Sequence, residues 1–186
     1  FLLGYSPERI NPGDKKNTLN TITKITSGSH PKVAEWVENL YGSIIKAGTH
    51  SVSSIKIGEA AKIIENVQRD VNIALMNEFA MFFSKLDLDT HEILEAAYTK
   101  WNFLKFEPGL VGGHCIGIDP YYLIYKAREL SFSPKLTILS REINEYTLEW
   151  IFELLIREAK RKNINIRNAK ILFLGISFKE NCPDLR

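Results

Sequence analysis

From Ser54 to Leu86 the chain contains no proline and one glycine, Gly58. Within that stretch Ile57, Ala60, Ile64, Val67, Val71 and Ala74 recur at intervals of three and four, the period of a helix with one buried face. The pattern predicts a single helix of about 30 residues, about 45 Å long at 1.5 Å per residue. Such a length exceeds the globular norm and marks a central spine or a subunit interface. The apolar positions also spread beyond one stripe: Ile63, Val67 and Leu75 are expected on a different side from Phe79, Phe82 and Phe83. One side would then cover the chain's own helices. The other would meet a second copy, two-fold pairing being the commonest solution.

Elements before and after this helix are shorter. Residues 1–6 and 21–27 read as strands, with the turn-rich loop Ser6-Pro7-Glu8-Arg9-Ile10-Asn11-Pro12-Gly13-Asp14 between them. Pro31 opens a helix at its favoured first position, and Gly48 is expected to end it. Thr90 to Ala97 forms a short helix, followed by a loop rich in glycine and aromatic residues over 98–118. Asp119 as N-cap and Pro120 after it start a helix reaching about Leu130, and Pro134 starts another reaching about Lys162. Ala169-Lys170-Ile171-Leu172-Phe173-Leu174-Gly175 reads as a buried strand opening an α/β unit. With a strand at one end and a new unit at the other, the chain is expected to be a piece cut from a larger protein.

Composition narrows the function classes. The chain of 186 residues is 45% hydrophobic and 25% charged, as in folded proteins. A net charge of +2 makes no electrostatic case for nucleic acid. No apolar run approaches the roughly 20 residues of a membrane span, and no signal segment is evident. Two cysteines, Cys115 and Cys182, stand outside any CxxC pattern, which argues against a disulfide scaffold or zinc knuckle and for a reducing cytoplasm. The scattered His30, His50, His91 and His114 give no reason to expect a metal. No G-x-G-x-x-G, Walker A or H-E-x-x-H motif occurs.

Three segments could carry chemistry. Four glycines, Gly109, Gly112, Gly113 and Gly117, surround Cys115, letting backbone approach a ligand and adopt positive φ. Cys115 lies four residues before Asp119, at a helix N-terminus whose partial positive charge favours a thiolate. A plain glycine-rich turn with a buried thiol would look the same. Lys62 and Asn66, at i and i+4, project from one helix face and could together stabilise an oxyanion. They also read as a solvated face with Glu59–Lys62 and Glu65–Arg69 ion pairs. Glu8 follows a strand end and a proline, where loops present catalytic groups, or it lies in a simple connecting turn.

Tyr-Ser-Pro-Glu-Arg-Ile-Asn-Pro-Gly-Asp at 5–14, Glu-Ala-Ala-Lys-Ile-Ile-Glu-Asn at 59–66 and Gly-Gly-His-Cys-Ile-Gly-Ile-Asp-Pro-Tyr-Tyr-Leu at 112–123 occur together in this order. This combination resembles the UDP-glucose/GDP-mannose dehydrogenase family, in particular the bacterial UDP-N-acetylhexosamine 6-dehydrogenases of capsule and O-antigen synthesis. Lys100-Trp101-Asn102-Phe103-Leu104 and Ser177–Arg186 fit that subgroup as well. The resemblance implies a mostly α chain: a central helical dimerisation domain (53–162) with one very long helix, flanked by truncated Rossmann-like α/β pieces, the tail of an NAD-binding domain (1–52) and the start of a UDP-binding domain (163–186). It implies oxidation of a UDP-N-acetylhexosamine at C6 with two NAD per turnover, and a homodimer in the bacterial cytoplasm. By the same resemblance Cys115 is the nucleophile, Lys62 and Asn66 hold the oxyanion, Asp119 moves protons through water, and Glu8 assists thioester hydrolysis. Gly109, Gly112, Gly113, Phe106 and Arg9 would contact the UDP-sugar, and Lys179 and Arg186 the cofactor. Cys182 is expected to be structural. A thiol enzyme without redox chemistry, using Cys115 and a histidine, and a purely structural dimerisation module are the alternatives.

Overall fold

Thr21-Ile22-Thr23-Lys24-Ile25-Thr26 is rich in β-branched side chains, which suit a pleated, half-buried surface. In the computed structural model, which describes residues 1–11 and 13–175, the strand expected over 21–27 begins only at Lys24, after a turn at 21–22, and gives the middle strand of a three-stranded sheet. β1 (Gly4–Tyr5) pairs antiparallel with β2 (Lys24–Gly28), Gly4 opposite Gly28, and β3 (Thr49–Ser51) pairs parallel with β2, Lys24 opposite Thr49. The crossover between the parallel strands is helix α1 (Pro31–Gly42). Pro31 stands at its start as expected, and the His30 side chain caps the Lys32 N–H. The helix ends earlier than the sequence suggested. Ser43 folds its hydroxyl back onto the Leu40 carbonyl at 2.8 Å, and Gly48, at φ +83°, makes the turn into β3 instead. The sequence reading missed β3, because Thr-His-Ser carries no apolar alternation and its strand character lies in the pairing alone. Glu38 of α1 accepts the hydroxyls of both Thr26 and Thr49, tying the helix to two strands.

The long helix α2 spans Ile55–Lys85, within a residue of expectation at each end. The Ser54 hydroxyl accepts the Ile57 N–H at its start. At its end Asp87 turns left-handed (φ +54°), and the Leu88 N–H reaches the Phe83 carbonyl. Gly58, the lone glycine, has a packing reason: a Cβ there would lie 3.2 Å from the Tyr5 ring and 3.3 Å from the Ser27 hydroxyl. α3 (Thr90–Tyr98), α4 (Asp119–Glu129) and α5 (Lys135–Arg161) complete a mostly helical chain with one small sheet. The described residues form two compact units, residues 1–65 and residues 66–175.

In the second unit Ala74, Met76, Ala80, Leu94, Ile124 and Ala159 are buried. Beside them lies an unusual amount of buried polar surface: Asp70, Asn77, Arg141 and Asn144. Leu75, Phe79 and Phe82 are exposed. Their spacings of four and three put Leu75 on the phenylalanine side, not opposite it as the sequence reading had it. The expected strand at Ala169–Gly175 is not formed among the described residues, and Leu172, Phe173 and Leu174 are exposed. A strand is defined by its neighbours, and none of the described segments pairs there. No described helix is long and apolar enough to cross a membrane.

Two glycines give a direct test of this packing. A Cβ on Gly28 would sit 2.5 Å from the Ala34 backbone nitrogen, whereas one on Gly42 meets nothing within 4 Å. Gly28→Ala should therefore cost about 1–3 kcal/mol in denaturant unfolding, while Gly42→Ala should be neutral or stabilising by up to about 1 kcal/mol. Equal effects of the two would contradict the close approach of α1 to β2.

Candidate active site

In the first unit the loop after β1 is fixed by two cations. Arg9 grips Glu65 of α2 with a fork, Nη2 to Oε1 at 2.8 Å and Nε to Oε2 at 3.3 Å, and its Nη1 donates to the Thr23 carbonyl at 2.8 Å. Two-point arginine–carboxylate contacts add direction as well as energy. Lys24, buried, donates to the Pro7 carbonyl at 2.6 Å and lies over the Tyr41 ring. Burial pushes the Lys24 ammonium below its ordinary pKa, the Glu8 carboxylate opposes that shift, and Arg9 adds to it. Glu8 itself is exposed. Lys62 is half-buried. Neither ion pair of the solvated-face reading forms: Glu65 is taken by Arg9, and Lys62 pairs with no acid among the described residues.

A cavity of about 630 Å³ opens at the carboxyl ends of β2 and β3, beside the start of α1. That is where open α/β sheets bind nucleotides. Here, however, Glu35 and Glu38 line it together with Gly28 and His30, and carboxylates oppose a pyrophosphate. This cavity, with its carboxylates, therefore offers no seat of its own for the diphosphate of NAD. Lys179 and Arg186, assigned to the cofactor, and Cys182 lie outside the described residues.

The second unit brings two of the expected site residues into contact. Asn66, buried on α2, donates from Nδ2 to Oδ2 of Asp119 at 2.6 Å, and Asp119 is buried too. Asp119 is the first residue of α4, not its cap; Ile118 holds the cap position without a side-chain bond. The physical reason is that the Asp119 carboxylate points at Asn66 and so does not cap its own helix. Cys115, a free and half-buried thiol, stands one turn earlier. Its carbonyl accepts the N–H groups of Asp119 (2.8 Å) and Ile118 (3.1 Å), which ties the thiol-bearing residue to the N-terminus of α4. Of the four glycines around it only Gly113 uses positive φ (+82°). At Gly109 the Cβ position is open, with nothing within 4 Å. Phe106 is half-buried, and its carbonyl accepts the Tyr98 hydroxyl at 3.1 Å.

Sequence reading missed the polar chain behind the loop. Arg141 of α5 donates to Asp70 of α2 at 2.6 Å, and Asn144 donates to the Asp70 carboxylate (2.8 Å) and carbonyl (3.0 Å). Asn77 donates to Asn144 at 2.9 Å and exchanges two hydrogen bonds with the backbone of Gly109. Burial pushes the Asp70 carboxyl upward, against the pull of Arg141 and Asn144. Burial also disfavours the Arg141 charge, but Tyr121 and Asp70 hold its pKa above the ordinary arginine value. A signal was available: Asn66, Asp70 and Asn77 repeat on one helix face amid apolar neighbours.

Residues 56–146 match the UDP-glucose/GDP-mannose dehydrogenase family, central domain, and the chain belongs to this family. It is 56% identical to Protein CapL of Staphylococcus aureus and 53% identical to the UDP-N-acetyl-D-glucosamine 6-dehydrogenase of Pseudomonas aeruginosa, in each case over 100% of this chain and 44% of the relative. The fold is similar to that of the UDP-N-acetyl-mannosamine dehydrogenase Cap5O from S. aureus, with a TM-score of 0.80 at 27% identity, over 100% of this chain and 42% of that one. The chain thus spans less than half the length of these relatives.

The Asn66–Asp119 contact should appear as an energetic coupling. In a double-mutant cycle with Asn66→Ala and Asp119→Ala, the two should couple by about 1.5–3 kcal/mol, as expected for a buried hydrogen bond to a charged group. A coupling under about 0.5 kcal/mol would mean that the two side chains do not depend on each other.

Proposed function

We propose that this chain supplies the catalytic thiol of an NAD-dependent dehydrogenase that oxidises the C6 alcohol of a UDP-N-acetylhexosamine to a carboxylate, for a bacterial surface polysaccharide made from the cytoplasm. The observation that carries the reading is the Cys115 turn, which sets the thiol one turn ahead of Asp119, itself bonded to Asn66. Overall the reaction removes four electrons from C6 as two hydrides, which NAD accepts when bound. Cys115 acts between them. Its sulfur adds to the C6 aldehyde to give a thiohemiacetal, and loss of the second hydride leaves a thioester. Water then cleaves the thioester, releasing the uronate and restoring the thiol. Asn66 and Lys62 would stabilise the C6 oxygen where negative charge develops. Asp119 would exchange protons with water at C6, and Glu8 would assist the hydrolysis. Gly109, Gly112, Gly113 and Phe106 would lie along the UDP-sugar. The N-acetylglucosamine nucleotide is the first substrate to test, because relatives at 53% identity carry that name.

Cys115→Ser in the full-length protein should abolish uronate formation, because serine is a far weaker nucleophile at neutral pH. Cys182→Ser should retain most activity. Uronate formation at a near-normal rate by Cys115→Ser would remove the thiol from the mechanism. Thioester turnover without NAD reduction would instead favour a non-redox thiol enzyme.

The same reading includes a homodimer through α2. Its support is the exposed Leu75, Phe79 and Phe82 face, together with Leu148 and Phe152 exposed on α5. Apolar contacts are not screened by salt, so light scattering should give a dimer at both low and high salt. Leu75→Asp should shift it to monomer; a monomeric wild type at micromolar concentration would contradict the assembly.

A further inference from the structure

Within the second unit the Cys115 loop is held at two points, both on one face of α2. At its far end Asn66 holds Asp119. At its near end Asn77, fully buried, holds Gly109: Oδ1 accepts the Gly109 N–H at 2.7 Å and Nδ2 donates to the Gly109 carbonyl at 3.0 Å. One amide thereby satisfies both backbone groups of one residue, as an opposing strand residue would. Asn66 and Asn77 stand eleven residues apart, about three helical turns, so their side chains point within about 20° of each other some 16 Å apart. Asn77 is oriented in turn: its Nδ2 also donates to Asn144, which Asp70 holds twice. Gly109 needs this partner, because it lies outside any helix or strand.

We propose that Asn77 is a positioning residue for the Cys115 loop. By fixing the Gly109 backbone against α2 it sets the near end of the segment whose far end Asn66 fixes, and so determines where the thiol stands. Its consequence for turnover rests on the reading of Cys115 as the nucleophile; its consequence for the loop does not. Asn77 touches no reacting atom in this scheme and acts only through Gly109.

Three readouts on the full-length protein test this: hydrogen exchange at residue level over 109–118, the rate at which iodoacetamide labels Cys115, followed by peptide mass spectrometry, and kcat. In the wild type the Gly109 amide should exchange about tenfold more slowly than that of Leu110, after correction for intrinsic rates. Asn77→Leu keeps most of the buried volume and removes all three hydrogen bonds. It should erase the Gly109 protection, speed Cys115 labelling by about threefold or more, and lower kcat by about 10²-fold. Asn77→Ala should move the loop readouts in the same direction with a larger loss of thermal stability. A Gly109 amide as unprotected as that of Leu110 in the wild type would overturn the proposal even if neither variant folds. So would a folded Asn77→Leu with unchanged protection and labelling. If the loop readouts respond as expected but the wild type reduces no NAD with any UDP-N-acetylhexosamine, the positioning role stands and the proposed reaction falls.

Discussion

The contact on which the second unit depends is the buried pair of Asp70 and Arg141, joining α2 to α5 at 2.6 Å. Withdrawing two charges from water costs several kcal/mol per ion, recovered only with close geometry and further hydrogen bonds. Asn144 supplies one such bond to the Asp70 carboxylate and a second to the Asp70 carbonyl, and the Arg141 guanidinium also lies over the Tyr121 ring. Oδ2 of Asp70 and Nε of Arg141 remain without partners among the described residues. The network is therefore better understood as fixing which turn of α5 faces which turn of α2 than as a large source of stability. Once that register is set, Asn144 meets Asn77 and Asn77 meets Gly109. A single buried charge pair thus reaches the backbone of the thiol-bearing loop.

Within each unit a residue of α2 anchors one of the segments that carry the family resemblance. Glu65 holds Arg9 of the first segment, and Asn66 holds Asp119 of the third. This gives a physical reason for Glu65 and Asn66 in the stretch Lys62–Asn66 of a helix otherwise patterned for burial. Arg9, assigned to the substrate by resemblance, has its guanidinium engaged by Glu65 and the Thr23 carbonyl. Lys62 is the cation of this stretch that no described acid neutralises, which suits a role toward an oxyanion.

Most of the helical fold was legible because it rests on local signals. An unbroken three-and-four pattern located α2 to within a residue, and prolines marked the starts of α1, α4 and α5. What could not be read depends on partners distant in sequence. β3 exists only through β2. Asp119 looked like a cap because nothing nearby reveals Asn66, 53 positions away. The strand expected at 169–175 has the right residues and no described neighbour. Leu75 was assigned to the wrong face, although its spacing to Phe79 and Phe82 was already in the sequence. The Asp70–Arg141–Asn144–Asn77 chain is hidden from an apolar pattern, because buried polar residues interrupt such a pattern without announcing their partners.

The proposed passage of a UDP-sugar alcohol through a cysteine-bound acyl stage to the acid is tested most directly by electron stoichiometry. With limiting UDP-N-acetylglucosamine, excess NAD and full-length protein, absorbance at about 340 nm gives the NADH formed, and chromatography gives the sugar consumed. Two NADH per sugar, with the uronate as sole product, is the result required by a thiohemiacetal that becomes a thioester. One NADH per sugar with a free aldehyde as product, or none with any UDP-N-acetylhexosamine, would contradict it.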